Sequence, residues 1–303
     1  SSRGVYKFPV EDKKSATYED HQCSSYDVEA CSWSNIPDED FALADDNHWT
    51  IGQFVWTGFD YLGEPSPYDT NAWPNHSSMF GIIDLASIPK DRYYLYRSVW
   101  NKNAETLHIL PHWTWPGREG KVTPVFVYTN HPTAELFING KSYGKQSKNN
   151  SSLKNRYRLM WMDAVYEPGE IKVVAYNKDG KAVAEKIVRT AGKPHHIELV
   201  SNRNELTADG KDLAYITVKV VDKDGNLCPA DSRQINFFVK GAGKYRAAAN
   251  GDPTNLEQFH LPKMHAFNGM LTAIVQSGET AGEIVLTAKA SGVKAGNIRI
   301  QTK

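Results

Sequence analysis

From about residue 104 to the end of the chain, apolar and polar residues alternate in short segments separated by turn signals. This period of two is typical of strands that bury one face of a sheet, because successive side chains point to opposite sides. Many short strands with regular turn signals favour β-sandwiches. We predict strands at 106–113, 124–130, 134–138, 156–162, 170–177 and 181–188, and then at 195–200, 214–221, 235–240, 269–276, 283–290 and 297–302.

Turns and one linker organise these segments. Asn139-Gly140 and Lys178-Asp179-Gly180 are typical of hairpin turns, and Gly192-Lys193-Pro194 is typical of a linker. We therefore predict a first accessory β-sandwich at 103–191 and a second one at 192–303. We describe both as immunoglobulin-like in architecture only, because neither carries a Cys–Trp–Cys core pattern.

Residues 1–102 have a different pattern. Pro37 followed by three acidic residues predicts the start of a helix that ends near Asp46. The apolar run 51–56 predicts a fully buried strand, a long loop follows it to about residue 80, and Pro89 precedes a second helix over 90–100. An α/β barrel needs eight strands in about 250 residues. This region has room for only one or two strands and cannot close its own core, so we predict that it is the tail of an α/β unit in a multidomain, mainly β chain.

The loop after the predicted strand carries the candidate site, which consists of Trp56, Asp60, Tyr61 and Glu64. Aromatic rings beside carboxylates suit a sugar, whose C–H faces stack on rings while its hydroxyls form hydrogen bonds. Asp60 and Glu64 could form an acid/base pair, cap turns, or bind sugar hydroxyls. Because both lie in one loop, they are poorly placed to flank a glycosidic bond from two sides. We favour substrate binding for all four and assign no catalytic residue; for Trp56 the alternative is a core tryptophan.

Composition excludes several classes of partner. The 303-residue chain has 35 basic and 35 acidic residues, so its balance favours neither nucleic acid nor an anionic membrane surface. No apolar run approaches the roughly 20 residues that a membrane-spanning helix needs. The three cysteines, Cys23, Cys31 and Cys228, have no zinc-binding spacing, and we expect buried free thiols. We predict no metal and no cofactor.

Several stretches, in order along the chain, resemble family 2 glycoside hydrolases of the β-galactosidase type. The resemblance covers essentially the whole chain and implies that residues 1–102 are the C-terminal end of a (β/α)8 barrel. It is carried by Ser24-Ser25-Tyr26-Asp27 with Trp33, by 51–68, by Phe80-Gly81-Ile82-Ile83-Asp84-Leu85 with Pro89-Lys90-Asp91, by 106–120, by 134–141, and by Asn250-Gly251-Asp252-Pro253-Thr254 with 266–269.

The resemblance implies a retaining mechanism with two glutamates on the fourth and seventh barrel strands. Neither motif is matched, so we expect both glutamates upstream of Ser1 and an inactive chain. Trp56 matches the family's active-site tryptophan on strand eight, and the resemblance implies that the Trp56–Thr57 peptide bond is cis. The family's sodium ligands have no obvious match.

The resemblance also bears on specificity. Family 2 β-glucuronidases read the uronate with an Asn-x-Lys before a Gly-Ile, and those places are occupied here by Ser78 and Phe80. This favours a neutral β-galactoside. The alternatives are a β-mannosidase or β-glucuronidase as the parent enzyme, or a non-catalytic carbohydrate-binding or scaffolding module. We expect carbohydrate as the partner, compatibility with oligomer formation, and a periplasmic or secreted location.

Overall fold

In the computed structural model of the protein, the described residues are 6–9, 24–31, 33–65 and 73–303. They form a mainly β structure with several sheets. None of their helices is long and apolar enough to span a membrane. In chain order the elements are α1 Pro37–Asp46, α2 Asp91–Trp100, β1 Leu107–Leu110, β2 Val125–Thr129, β3 Thr133–Ile138, β4 Lys141–Ser147, α3 Leu153–Tyr157, β5 Leu159–Trp161, β6 Glu170–Tyr176, β7 Ala182–Arg189, β8 His196–Ser201, β9 Glu205–Leu206, β10 Leu213–Val221, β11 Gln234–Gly241, β12 Gly243–Ala249, β13 Lys263–His265, β14 Met270–Ser277, β15 Gly282–Lys289 and β16 Gly296–Thr302.

The first sandwich consists of the sheets β1-β2-β5 and β4-β3-β6-β7. The residues of β2 are buried on both sides of the sheet. Val125 and Val127 pack into the core between the two sheets, whereas Phe126 and Tyr128 pack against the helices. Alternation of side chains along a strand explains why one strand contributes to two cores.

Helices α1 and α2 cover the outer face of the sheet that contains β2. Phe41 of α1 and Leu95 and Tyr96 of α2 are buried against Phe126 and Tyr128. The start of α1 has Pro at its first position and acidic residues in its first turn, as the sequence predicts. Most of the helical part of the chain is therefore packed on the first sandwich.

The second sandwich consists of the sheets β12-β14-β10-β8 and β13-β11-β15-β16-β9. Its pairs are antiparallel except for the short parallel pair of β16 and β9. Its core is aliphatic, with side chains such as Ile216, Val218, Leu271 and Leu286 fully buried between the sheets. This packing has the layer architecture of a sandwich.

The prediction of a fully buried strand over 51–56 is wrong for the described chain. These residues are in no strand, and Ile51, Phe54 and Trp56 are 105%, 106% and 72% exposed. A strand needs neighbouring strands to satisfy its backbone groups and cover its side chains. No described strand pairs with this segment, so most of its apolar residues are exposed, although Val55 packs against the core cluster that contains Phe41 and Leu95.

Most other elements agree with the sequence. Both predicted helices are present, and each predicted strand from residue 106 onward overlaps an observed one. The strands β4, β9, β12 and β13 and the helix α3 were not predicted. Cys228 is a buried free thiol, Cys31 is only half-buried, and Cys23 lies outside the described residues. The barrel end over 1–102, the immunoglobulin-like topology and the domain boundaries remain predictions.

Candidate functional site

The loop at residues 57–65, which we call the site loop, is fixed by the segment 73–90. The Ile82 N–H donates to the Thr57 carbonyl (3.1 Å) and the Asp60 N–H donates to the Ile83 carbonyl (2.9 Å). At the other end of the site loop the Gly63 N–H donates to the His76 carbonyl (2.9 Å). The site loop is therefore held along its length by backbone hydrogen bonds.

Gly81 allows the two segments to approach closely. A Cβ atom at this position would overlap the backbone of Phe59, Asp60 and Ile83. Only glycine lacks that atom, so only glycine permits the two segments to lie this close to each other.

Ser78 adds two further bonds between the segments: its N–H donates to the Tyr61 carbonyl (2.9 Å) and its hydroxyl accepts from the Tyr61 N–H (3.1 Å).

Three of the four predicted site residues form one cluster. The Trp56 indole N–H donates to the Tyr61 hydroxyl (3.2 Å), which in turn donates to the Glu64 carboxylate. The two rings lie edge to face with centroids 6.0 Å apart. The accepting carboxylate of Glu64 raises the pKa of the Tyr61 hydroxyl above its usual value. The Trp56–Thr57 peptide bond is cis, which confirms that prediction.

Asp60, the fourth predicted residue, does not join this cluster. Its side chain is 6% exposed and its Oδ2 pairs with Lys90 Nζ at 2.6 Å. Its Oδ1 accepts from the Gly81 N–H (2.8 Å). Burial raises the pKa of Asp60, while Lys90 and the Gly81 N–H act in the opposite direction. Both carboxylate oxygens are thus already bonded within the protein, which is the arrangement of a residue that fixes a loop.

Asp84 stabilises the turn that follows. Its Oδ1 accepts from the Ala86 N–H (2.8 Å) and from the Ile88 N–H (2.9 Å). Burial raises the pKa of Asp84 to about 6, although these two N–H groups favour the ionised form. The turn therefore contains a carboxyl group that titrates in a mildly acidic range.

We expect stability to depend on pH through Asp84. Since its pKa is raised on folding, its favourable contribution is present below about pH 4 and is lost as pH rises through about 6. The full loss is up to about 3 kcal/mol, because one pKa unit corresponds to about 1.4 kcal/mol. Replacing Asp84 with asparagine should remove this dependence and make the chain more stable than the parent at pH 7, as measured by urea unfolding.

The control for this prediction is Asp179→Asn in the exposed turn between β6 and β7, which should leave the unfolding free energy unchanged. An Asp84→Asn variant whose stability runs parallel to the parent between pH 4 and pH 7 would contradict the assignment.

A cleft of about 690 Å³ lies beside the site loop. Its lining includes Leu62 and His76, and also Arg246, Leu256 and Phe259 of the second sandwich. The second sandwich and Leu62 of the site loop therefore border the same cleft, whereas the predicted site residues do not line it.

Within the described part of the chain, no group of three or more His, Cys, Asp or Glu side chains is arranged to hold a metal ion. The chemistry available at the site loop is hydrogen bonding and ring stacking by Trp56, Tyr61 and Glu64. Sequence reasoning missed the ion pair of Asp60 with Lys90. The signal was available, because Lys90 is the only Lys or Arg between residues 57 and 90.

Comparisons with protein families support the resemblance. Residues 197–299 match the family model "Glycoside hydrolase family 2 C-terminal domain 5". Residues 120–184 match a domain of unknown function, DUF4982.

Curated relatives and solved structures agree with these matches. The beta-galactosidase BoGH2A of Bacteroides ovatus is 41% identical over 100% of this chain, which covers 35% of that protein. A putative beta-glucuronidase of Formosa agariphila is 35% identical over 69% of this chain and 20% of its own length. The crystal structure of a beta-glycosidase from Bacteroides vulgatus has a TM-score of 0.83 and 34% identity, covering 93% of this chain and 34% of that one.

The chain thus spans about a third of the length of the first of these relatives. All of this chain aligns with that relative, and the family model for a C-terminal domain matches the last part of this chain. The chain belongs to glycoside hydrolase family 2 and corresponds to a C-terminal portion of the members of that family.

Proposed function

We propose that this chain is the C-terminal part of a retaining β-galactosidase that hydrolyses terminal, neutral β-galactosides. In this proposal the catalytic glutamates are supplied by other parts of a longer protein, and the site loop contributes to the sugar site. The observation that carries the proposal is the cluster of Trp56, Tyr61 and Glu64. The name of the relative with 41% identity, a beta-galactosidase, supports the same substrate class.

The cluster has the chemistry that a sugar requires. Trp56 is 72% exposed and offers an indole face for the C–H groups of a pyranose ring. The Glu64 carboxylate can accept hydrogen bonds from sugar hydroxyls, and Tyr61 fixes it relative to the ring of Trp56. An aromatic surface with a few fixed polar groups is a common arrangement in ligand sites.

The charges within residues 57–90 favour a neutral sugar over a uronic acid. Lys90 is the only cation between residues 57 and 90, and its ammonium is paired with Asp60 and donates to the Met79 carbonyl (3.3 Å). Ser78 is fully buried and bonded to Tyr61, and Phe80 packs edge to face on Trp33 at 5.6 Å. None of these groups offers an unpaired positive charge to a uronate, although some relatives are named beta-glucuronidases.

The role of Trp56 can be tested in the full-length enzyme. We expect Trp56→Ala to lower kcat/KM for a nitrophenyl β-galactoside about a hundredfold, because loss of a stacking ring in a binding centre typically costs at least about 2 kcal/mol. Trp56→Phe, which retains a ring but lacks the N–H that bonds to Tyr61, should fall between the parent and the alanine variant.

Trp49→Ala is the matched control, because Trp49 is also highly exposed, at 80%, and has no ring contact among the described residues. Its kcat/KM should equal that of the parent. Equal losses for the alanine variants at positions 49 and 56 would show that the site loop has no specific role in turnover.

A further inference from the structure

Segment 73–90, which holds the site loop, is attached to the second sandwich at two points. The His76 N–H donates to the Pro253 carbonyl (3.1 Å). The Thr272 hydroxyl of β14 donates to the Ala86 carbonyl (2.6 Å), and this bond is buried. Ala86 is 2% exposed, so its carbonyl has no alternative partner in solvent.

Both attachment points lie next to bonds that fix the site loop. The His76 carbonyl accepts from the Gly63 N–H, and the His76 N–H donates to the Pro253 carbonyl. The Ala86 turn directly follows Ile83, whose carbonyl accepts from the Asp60 N–H. The two sides of Tyr61, at Asp60 and Gly63, are therefore connected to the second sandwich through short chains of hydrogen bonds.

Close packing at Gly251 strengthens this junction. A Cβ atom on Gly251 would overlap the Asp84 carboxylate, so a larger residue at position 251 would have to displace that side chain. The adjoining turn is fixed by its own bonds, since Asn250 Nδ2 donates to the His265 carbonyl (2.8 Å) and the Thr254 N–H donates to Asp252 Oδ1 (2.9 Å). The motif Asn250-Gly251-Asp252-Pro253-Thr254, singled out in the sequence, thus forms the surface of the second sandwich that receives segment 73–90.

We propose that the second sandwich positions the site loop, with Thr272 as a positioning residue that acts through the Ala86 turn. The functional importance of this positioning rests on the proposed sugar-binding role of the site loop. Binding groups must be held within a fraction of an ångström by the residues behind them. A rigid sheet is better suited to that task than a loop alone, and Thr272 lies on the second strand of a four-stranded sheet.

The structural part of the proposal is tested in the 303-residue chain by amide hydrogen exchange. We expect Thr272→Val to accelerate exchange at Asp60 and Ile83 about tenfold, because it leaves the buried Ala86 carbonyl without a donor. Thr272→Ser keeps the hydroxyl and should restore the parent rates.

Thr217→Val is the matched control. Thr217 is the cross-strand partner of Thr272 on β10, so it lies on the same face of the sheet. Its hydroxyl forms no hydrogen bond with any described residue. Exchange at Asp60 and Ile83 that is unchanged in Thr272→Val, or accelerated equally in Thr217→Val, would overturn the proposal.

Gly251→Ala provides a second route to the same junction. We expect it to accelerate exchange at Asp60 and Gly63 while the core amides of β15 and β16 keep their protection, which shows that the sandwich remains folded. Loss of protection in those strands together with the site loop would count against a local junction.

The full-length enzyme separates this inference from the proposed function. If the site loop binds the sugar, Thr272→Val should lower kcat/KM on a nitrophenyl β-galactoside about tenfold, and Thr272→Ser should recover it. If hydrogen exchange is accelerated but turnover is unchanged, the positioning of the site loop is supported and its proposed role in sugar binding is wrong.

Discussion

Replacing Asp38 with alanine is expected to destabilise the chain by about 3 to 5 kcal/mol, the usual effect of removing one partner from a buried ion pair. The effect is large because Asp38 and Arg158 are both completely inaccessible to solvent. Removing the carboxylate would leave a guanidinium charge in the interior, where no water can solvate it.

The surroundings of this pair show why it matters for the fold. Arg158 Nε donates to Asp38 Oδ1 (2.9 Å), and Arg158 Nη1 donates to the Tyr26 carbonyl (2.9 Å) and to the Tyr128 hydroxyl (3.3 Å). Asp38 lies in the first turn of α1, Tyr128 lies on β2, and Arg158 directly precedes β5. The pair therefore joins α1 to the first sandwich through one network.

A matched control joins the same helix, α1, to a nearby arginine two residues before Arg158. Arg156 pairs with Asp46 at 2.8 Å, but the Asp46 side chain is 60% exposed, so Asp46→Ala should cost much less stability than Asp38→Ala. The double variant Asp38→Leu with Arg158→Met should recover much of the stability, because an apolar pair avoids the cost of burying charge. Equal unfolding midpoints in urea for the alanine variants at positions 38 and 46 would contradict this account.

Local sequence signals were sufficient for most of the fold. Pro37 and the acidic residues after it correctly predicted α1, and alternation correctly predicted strands such as β6 and β10. These elements were predictable because their burial pattern follows the period of the element itself. The strand β4 was not predicted because its residues are nearly all exposed and polar, so its sequence shows no apolar alternation.

Signals that depend on distant parts of a chain were less reliable. Residues 51–56 have the composition of a buried strand, but burial requires partners that are not among the described strands. Asp60 was predicted to bind substrate, whereas its carboxylate is occupied by Lys90, thirty residues later. The bond from Thr272 to Ala86 joins residues 186 positions apart. The periodicity of a segment and its turn signals carry no information about such pairs.

The largest expected effect concerns catalysis. On a nitrophenyl β-galactoside, we expect no turnover above background by the 303-residue chain and rapid turnover by the full-length enzyme. Retaining hydrolysis requires two carboxyl groups about 5 Å apart on opposite sides of the bond. In the site loop, one oxygen of Asp60 pairs with Lys90 and the other accepts from the Gly81 N–H, and the Glu64 carboxylate accepts from the Tyr61 hydroxyl. Since enzymes accelerate such reactions by at least about a millionfold, even weak activity would be easily detected.

The same assay with a nitrophenyl β-glucuronide distinguishes the parent activities. We expect the full-length enzyme to prefer the galactoside at least about a hundredfold, because Lys90, the only Lys or Arg within residues 57–90, is already paired with Asp60 and would leave a uronate at the site loop uncompensated. Preference for the glucuronide would show that another segment supplies a cation, and the beta-glucuronidase relatives would then indicate the function. Turnover by the 303-residue chain alone would place the catalytic carboxylates within it, and Asp60→Asn and Glu64→Gln would be the variants that identify them.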